Sequence, residues 1–243
     1  MTKRDFSALC AENFALNGIS RFATDDIISK LCELCDIFLE TNKVMNLTAI
    51  KDEKLVISRH FADCLIPAQF FPFRTNVLDV GSGGGMPALP LAIARPDLEI
   101  TALDATAKKT AYIENTARTL DLSNIFVVTG RAEELAATTL RASFDVVTAR
   151  AVAQTNVLAE LCVPFIKKGG LFIALKGKRE DDSAASASSA MKSLGCRLVS
   201  DNVFDLYDTD GEKSERHVLV YEKISETPGI YPRKYAQITK NPL

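Results

Sequence analysis

A glycine-rich segment, Asp79-Val-Gly81-Ser-Gly83-Gly84-Gly85-Met86-Pro87, is the part of this 243-residue sequence that points most directly to chemistry. It follows a short apolar run and precedes a helical pattern, the context in which such loops bind ligands. Glycine lets the backbone turn sharply and approach a ligand closely. The spacing is G-x-G-x-G, and Met86 stands where the dinucleotide pattern needs its third glycine. The loop therefore predicts a nucleotide-like cofactor without a pyrophosphate.

Two acidic residues accompany this loop. Asp79 directly precedes it, where a negative charge would oppose a pyrophosphate but suit the ammonium of an amino-acid-like cofactor, directly or through water. Asp104 stands 23 residues after Gly81, a distance at which an acid can accept hydrogen bonds from ribose hydroxyls. Each has a structural alternative: Asp79 could cap a backbone amide, and Asp104 could be the N-cap of the helix that starts at Ala107.

Two further loops follow predicted strands. The segment Gly130-Arg-Ala132-Glu133-Glu134 is expected to border an adenine ring, with backbone amides reading the ring and a carboxylate accepting from its exocyclic amine. Both glutamates could instead be early helical acids that the helix dipole favours. Arg150 lies at the end of the fourth predicted strand, where ligands of open α/β sheets bind. It could meet a carboxylate or a phosphate, or be a surface arginine.

Alternating strands and helices position these loops. The predicted strands are residues 77–80, 99–103, 125–129, 144–149 and 171–176, the last after a turn at Gly169-Gly170. The predicted helices between and after them are residues 87–94, 107–120, 133–139, 154–166 and 182–194. Such βαβ units have right-handed crossovers and give a parallel sheet with helices on both faces. Two last β-like stretches, 197–206 and 216–222, have no helix between them and predict an antiparallel hairpin. The pattern predicts an α/β fold with a doubly wound, Rossmann-like sheet of the class I methyltransferase type.

The first 70 residues are predicted to form an N-terminal helical cap, followed by one domain over residues 71–243. Apolar residues between Asp25 and Leu39 recur at spacings of three and four, and residues 53–64 predict another helix. Cys32 and Cys35 form a C-x-x-C within this pattern. We assign them to core packing, because no second ligand pair is spaced for zinc.

The bulk composition is that of an ordinary soluble protein. Hydrophobic residues make up 47% and charged residues 25%, and the formal net charge is −2. A protein coated in basic residues is excluded, but a local basic face is not. The beginning of the sequence lacks the apolar core of a signal peptide, and no apolar run is long enough to span a membrane. We therefore expect a cytoplasmic protein.

Seven motifs in this order resemble the family of small-subunit ribosomal RNA guanine-N7 methyltransferases (RsmG, formerly glucose-inhibited division protein B). They are Asn42-x-x-x-Asn46-Leu-Thr48, Arg59-His60-x-x-Asp63, the glycine loop with its Met86-Pro87, Arg131-Ala-Glu-Glu, Ala149-Arg150-Ala151, Ala174-Leu-Lys176-Gly177 and Glu215-Arg216-His217. The resemblance runs from about residue 30 to the C-terminus. The sequence departs from the family pattern at Thr41, where an aromatic residue is frequent, and at Ala88, where glycine is usual.

The resemblance implies transfer of a methyl group from S-adenosylmethionine to N7 of a guanine in 16S ribosomal RNA. It places cofactor contacts on Gly81, Met86, the Ala132-Glu133 pair and Arg150, with Asp104 as ribose partner. Together with the residues of the loop itself, the expected cofactor set is Asp79, Gly81, Gly83, Gly85, Met86, Asp104, Ala132, Glu133 and Arg150.

A dedicated catalytic base is not expected, because N7 of neutral guanine already carries a lone pair. Catalysis should come from placing N7 in line with the methyl group and from stabilising the moving charge. No metal is expected, since the two histidines are far apart in the sequence. The candidate substrate-positioning residues are Asn46, His60, Asp63, Lys176 and His217. Polar links between the cap and the sheet are an equally acceptable interpretation of the residues in the cap.

Local basic clusters favour ribosomal RNA, or the small ribosomal subunit, as the partner. Lys176, Lys178 and Arg179 follow the fifth strand, and residues 231–243 contain three basic residues and no acid. Tyr231 and Tyr235 could stack on bases. Three rival functions stay open: a methyltransferase of another RNA, protein or small-molecule substrate, a nicotinamide-dependent oxidoreductase, which Met86 disfavours, and a non-catalytic RNA-binding module.

Overall fold

A seven-stranded sheet forms the centre of the computed structural model, which describes residues 1–150, 154–177 and 184–243. In its described part the strand order is β3-β2-β1-β4-β5-β7-β6. The strands are β1 (Asn76–Val80), β2 (Glu99–Asp104), β3 (Ile125–Thr129), β4 (Phe144–Arg150), β5 (Ile166–Lys176), β6 (Cys196–Tyr207) and β7 (Lys213–Lys223). Strands β1 to β5 are parallel, and β7 runs antiparallel to both β5 and β6. The predicted sheet with its terminal hairpin is confirmed.

The chain changes direction across the sheet between β1 and β4. Strands β2 and β3 lie on one side of β1, whereas β4 and β5 lie on the other. Open α/β sheets bind ligands at this switch point, beyond the carboxyl ends of the strands. Asp79 pairs with Ala102 of β2 and with Thr148 of β4, so the glycine loop leaves the sheet at that point.

Helices cover both faces of the sheet. They are α1 (Lys3–Leu16), α2 (Asp25–Met45), α3 (Glu53–Val56), α4 (Asp63–Leu65), α5 (Ala88–Ala94), α6 (Ala107–Thr119), α7 (Ala132–Leu135), α8 (Thr155–Cys162), α9 (Ala184–Ser193) and α10 (Tyr235–Lys240). One apolar core joins the N-terminal helices, through Phe14, Leu31 and Phe38, to residues of the sheet such as Ile100 and Ile173. A second core lies between the sheet and α8 and α9.

The division into a cap of residues 1–70 and a domain of residues 71–243 stays a prediction, because the cap shares its core with one face of the sheet. The six cysteines are free thiols in buried positions, which confirms core packing for Cys32 and Cys35. Within the described ranges, no helix is long and apolar enough to cross a membrane.

Two sequence predictions near β5 are wrong. The helix predicted over residues 154–166 ends at Cys162, and a short 3-10 turn containing Pro164 leads directly into β5. Gly169-Gly170 is not a turn before the strand but lies inside it, where the pairing with β4 shifts register. A Cβ atom on Gly170 would lie 2.6 Å from the Asp145 carbonyl oxygen, which explains the glycine. The predicted helix 182–194 begins at Ala184 in the described part.

The helix predicted over residues 53–64 contains a π-helical segment. Helix α3 passes into Ile57–Ala62, whose turns are wider than those of an α-helix, and then into α4. Such π-helical turns are frequent at functional sites. His60 lies in the segment and Asp63 directly follows it.

Candidate active site

The glycine loop folds back onto the end of β2. The amides of Gly81 and Ser82 donate to the Leu103 carbonyl oxygen at 2.8 and 3.0 Å. Gly81, Gly83 and Gly85 all have positive φ angles, 74°, 56° and 79°. At Gly85 a Cβ atom would also collide with the Leu89 side chain, so glycine is required there.

The cap packs against this loop directly. A Cβ atom on Gly84 would lie 2.8 Å from the Phe38 ring and 3.5 Å from Leu47. Met86 is buried in the same core as Phe38. The N-terminal helices therefore help to shape the loop, a role that the sequence did not indicate.

Asp104 ties the glycine loop to the start of α6. One carboxylate oxygen accepts from the Gly83 amide at 3.0 Å, and the other accepts from the Thr106 amide at 2.8 Å. The N-cap of α6 is Thr106, so the alternative that made Asp104 the N-cap is wrong. Each carboxylate oxygen can accept a further hydrogen bond, which leaves Asp104 able to receive hydroxyl donors.

Asp79 is a buried carboxyl group that lacks a hydrogen-bond partner among the described residues. It is 1% exposed, and neither side-chain oxygen is hydrogen bonded. The nearby Ser82 hydroxyl donates instead to the Asp79 backbone carbonyl at 3.0 Å. Burial raises the pKa of Asp79 to about 7, against the opposing effects of the Ser82 hydroxyl, the Arg150 charge and the Ala88 backbone amide. A cationic ligand group would compensate such a site, so this orphaned acid fits an amino-acid-like cofactor.

The loop after β3 also reaches the end of β2. The Gly130 amide donates to the Asp104 carbonyl oxygen at 3.1 Å. Ala132 and Glu133 begin α7, and the Glu133 carboxylate, 10% exposed, accepts from Arg131 Nε at 3.0 Å. The carboxyl ends of β1, β2 and β3 thus carry Asp79, Asp104 and this loop side by side, the arrangement that a nucleoside cofactor needs.

Arg150 connects the end of β4 to the cap. Its Nη1 atom donates to Asp63 Oδ2 at 3.0 Å and to the Arg59 carbonyl oxygen at 3.3 Å, and Nη2 donates to His60 Nδ1 at 3.2 Å. The alternative of an unattached surface arginine is therefore wrong. Asp63 also accepts from Arg216 Nε of β7 at 2.7 Å, so one carboxylate joins two arginines.

These residues border a cavity of about 270 Å³. Its lining is Asp63, Ile66, Pro67, Arg150, Leu175, Lys176, Gly177, Arg216, His217 and Val218. Three of these side chains are cationic and one is anionic, apart from His217. An anionic or electron-rich ligand group would complement such a lining.

His60 is neutral and has a defined tautomer. Because an arginine can only donate, Nδ1 accepts from Arg150, and Nε2 carries the proton and donates to Thr48 Oγ1 at 3.1 Å. Burial, aided by the Arg150 charge, lowers the pKa of His60 to about 3. The Phe38 ring packs edge-on against the imidazole, with centroids 5.3 Å apart. His60 therefore positions its neighbours without titrating near neutral pH.

His217 lies opposite Lys176 in the antiparallel pairing of β5 and β7. Its Nδ1 atom lies 3.0 Å from Asp201 Oδ1 and its Nε2 atom 3.2 Å from Glu215 Oε1. Both ring nitrogens are thus held by carboxylates, which fixes the plane of the imidazole at the wall of the cavity.

Asn46 is not among the residues that line this cavity. It is the left-handed C-cap of α2, at φ 50° and ψ 52°, and lines a separate cavity of about 340 Å³ together with Lys43 and Lys51. Thr48 connects the two regions, because it lines the second cavity and bonds to His60. Asp63, Lys176 and His217 thus line the first cavity, and Asn46 lines the second. His60 does not line either cavity but bonds to Arg150, which lines the first.

Arg216 and Thr48 stand in the motifs of the sequence, but their contacts could not be predicted from it. One sequence does not show which of several neighbouring polar side chains bonds across the fold. Lys178 and Arg179 of the predicted basic cluster lie outside the described residues. Among the described residues, no group of three or more His, Cys, Asp or Glu side chains is arranged to hold a metal ion.

This sheet order is that of the class I fold of S-adenosylmethionine-dependent methyltransferases. Solved structures share the fold: the YcgJ protein from Bacillus subtilis superposes with a TM-score of 0.54 at 15% identity, covering 68% of this chain and 100% of that chain. M. jannaschii TYW2 in complex with AdoMet superposes with a TM-score of 0.53 at 16% identity, covering 67% and 75%.

The chain belongs to the GidB family, whose model, described as rRNA small subunit methyltransferase G, matches residues 27–208. A protein of Brevibacillus brevis with that function in its name, Ribosomal RNA small subunit methyltransferase G, is 40% identical over the full length of both chains. A protein of the same name from an Exiguobacterium species is 41% identical, over 97% of this chain and 96% of the relative. The resemblance seen in the sequence is confirmed.

The pKa of His60 predicts an acid-sensitive contribution to stability. The folded-state pKa is about 3 and the ordinary value is 6.5, so the unfolded chain binds a proton more readily between these values. Wild type therefore loses stability as the pH falls from 6.5 towards 3. The variant His60→Gln has no imidazole to protonate and does not lose stability in this way. The difference in unfolding free energy between wild type and His60→Gln, measured by urea denaturation, should therefore be smaller at pH 5 than at pH 7 by about 2 kcal/mol. A difference that is constant over this range would contradict a neutral, buried His60.

Proposed function

We propose that this chain transfers the methyl group of S-adenosylmethionine to N7 of a guanine in 16S ribosomal RNA of the small subunit. One juxtaposition carries the proposal. The orphaned Asp79 and the glycine loop lie at the same edge of the sheet as the cavity lined by Arg150, Lys176 and Arg216. Arg150 contributes to both, through its charge near Asp79 and its bond to Asp63. The names of the relatives support the same activity.

The cofactor, when bound, supplies an electrophilic methyl group on a positively charged sulfur. We assign its amino-acid ammonium to Asp79, its ribose hydroxyls to Asp104 and its adenine to the Ala132-Glu133 pair. The positive φ angles of Gly81, Gly83 and Gly85 set the bend of the loop. At Gly83 the backbone leaves space for the nucleoside, since a Cβ atom there would have as its nearest neighbour the Gly81 carbonyl oxygen at 3.8 Å. Met86 and Arg150 complete the proposed cofactor contacts, Met86 as an apolar wall of the site and Arg150 as a cationic one.

The cavity of about 270 Å³ is the proposed guanine site. Lys176 and Arg216 provide charge for an RNA phosphate or for guanine O6, which are both acceptors. His217, held between Asp201 and Glu215, provides a rigid wall. Asn46, with Lys43 and Lys51 in the second cavity, extends the approach for the RNA chain. The guanine must be unstacked to enter, as for other base-modifying enzymes.

The side chains of the site orient rather than transfer protons. Neutral guanine presents N7 as a lone pair, so no proton has to leave before the new N–CH₃ bond forms. His60 keeps its proton on Nε2, and Asp63 is occupied by two arginines. What the site offers is a fixed position for the base, with N7 held in line with the methyl group.

The function is tested by mapping N7-methylguanine in 16S ribosomal RNA from cells that lack this protein. We expect one methylated guanine to disappear and to return when the wild-type chain is supplied. Purified small subunits and free ribosomal RNA, incubated with the enzyme and radiolabelled cofactor, should accept label, whereas proteins and small metabolites should not. An unchanged methylation map would refute the proposal.

The elevated pKa of Asp79 predicts proton-linked cofactor binding. Below pH 7 the carboxyl group is protonated in the free protein and must lose that proton to hold an ammonium. Affinity for S-adenosylmethionine, measured by calorimetry, should therefore rise about tenfold between pH 5.5 and 7. In Asp79→Asn the affinity should be lower at pH 7 and independent of pH.

Asp79→Asn should weaken cofactor binding but stabilise the free protein at high pH. Burial of the charged form destabilises the folded wild type as the pH rises from 3.8 through about 7. Free Asp79→Asn should thus be more stable than wild type at pH 8 and lose this advantage near pH 4. A pH-independent wild-type affinity together with unchanged stability would remove Asp79 from the cofactor site.

Lys176 should serve the RNA and not the cofactor. Lys176→Ala is expected to raise the KM for small subunits about tenfold, with the larger effect at low salt, because a phosphate contact is lost. The dissociation constant for S-adenosylmethionine should not change. Lys168→Ala is the matched control, since Lys168 is an exposed lysine near the other end of the same strand. Equal KM values for both variants would exclude Lys176 from the guanine site.

A further inference from the structure

Hydrogen bonds and an ion pair hold the C-terminal tail, defined as residues 227–243, against the rest of the fold. Arg141 donates to the carbonyl oxygens of Thr227 and Tyr231, both at 2.8 Å. Arg233 forms a forked pair with Glu160 of α8, at distances from 2.6 to 3.0 Å. The Arg233 backbone amide also donates to Glu160 at 2.6 Å. The tail is therefore a fixed part of the fold.

Glu160 makes this attachment obligatory. Its side chain is fully buried, and its hydrogen bonds come from Arg233. An unpaired carboxylate in such a position would be strongly destabilising. The sequence analysis counted Arg233 among the basic residues of the tail that could bind RNA. The structure instead pairs Arg233 with Glu160, so it is not available to bind a phosphate.

The tail also shares a core with the loop that begins α7. Ile238 of α10 is fully buried in the second apolar cluster, and Ala132 and Leu135 of α7 pack against the same cluster. Helix α10 and helix α7, which begins at the segment to which we assign the adenine, therefore pack against the same apolar cluster. The two segments also meet directly, through Arg131 and Tyr235.

In this direct contact, the Tyr235 ring supports the Arg131 side chain. The Arg131 guanidinium lies over the Tyr235 ring, 4.4 Å from its centroid. The same guanidinium donates through Nε to Glu133 Oε1 at 3.0 Å. A cation held on an aromatic face has fewer orientations available, so the carboxylate that it bonds is held as well. The order of contact is Tyr235, Arg131, Glu133.

We infer that Tyr235 of the C-terminal tail is a positioning residue for the adenine end of the cofactor site, acting on Glu133 through Arg131. This inference rests on the proposed function, because it assigns the adenine to Ala132 and Glu133. It gives the tail a role in cofactor specificity. The exocyclic amine of adenine donates to a fixed carboxylate, whereas a hypoxanthine ring has a carbonyl there and would face an unfavourable acceptor.

The test uses calorimetric binding of S-adenosylhomocysteine and of its inosine analogue to the full-length chain. Tyr235→Ala should weaken S-adenosylhomocysteine about threefold to fivefold, the effect of a lost cation–π contact. It should also reduce the preference for adenine over hypoxanthine. Tyr235→Phe keeps the aromatic face and should behave as wild type. Gln237→Ala, an exposed change in the same helix, should have no effect.

A double-mutant cycle separates positioning from a general structural effect. Arg131→Gln should weaken binding at least as much as Tyr235→Ala, and the double variant should be no weaker than Arg131→Gln. Tyr235 is 43% exposed, so its truncation is not expected to unfold the chain. If the melting temperature nevertheless falls, Tyr235→Leu keeps the bulk without the aromatic face and replaces Tyr235→Ala in the cycle.

Additive losses in the cycle would overturn the inference. So would an unchanged cofactor affinity with a raised KM for small subunits, since Tyr235 would then stack on RNA. Failure of the wild-type chain to bind S-adenosylhomocysteine would instead refute the proposed function, and the two failures are thus distinguishable.

Discussion

One carboxylate shared by two arginines holds the site together. Asp63 comes from the N-terminal helices, Arg150 from the end of β4 and Arg216 from the hairpin strand β7. A partly buried ion network of this kind adds little net stability over apolar packing, but the loss of one partner leaves a charge uncompensated. It therefore contributes geometry: the cap, the parallel part of the sheet and the hairpin meet at a single point, and the cavity lies there.

The same network controls where protons are held. Arg150 forces His60 into one neutral tautomer, and Thr48 receives the remaining imidazole proton. Asp79, which lies beyond the reach of these hydrogen bonds, keeps a raised pKa near neutrality. The result is a carboxyl group with a raised pKa at the glycine loop and a neutral imidazole behind Arg150, which suits attack by a nucleophile that is already a free base.

Local patterns predicted most of the sheet, because buried strands, glycine punctuation and alternating helices are properties of short segments. They also found Asp79 and the glycine loop. They misplaced Gly169-Gly170, since a bulge and a turn have the same glycine signal. They could not find the partners of Arg216 and Arg233, which stand 153 and 73 residues away in the sequence. The Phe38 contact with the glycine loop was hidden for the same reason, because apolar spacing shows which face is buried but not what covers it.

The six buried thiols have a consequence for the chemistry of the cell. A thiolate is the species that oxidants and alkylating agents attack, and burial raises the pKa of Cys10 and Cys64 to about 12 and that of Cys196 to about 11. The folded chain therefore offers peroxide and electrophiles almost no reactive thiol. These thiols lie in the cap, in α8 and in β6, so the reactivity of each thiol would report local unfolding of its own region. Methylation by this chain would persist under oxidative stress until the fold itself opened.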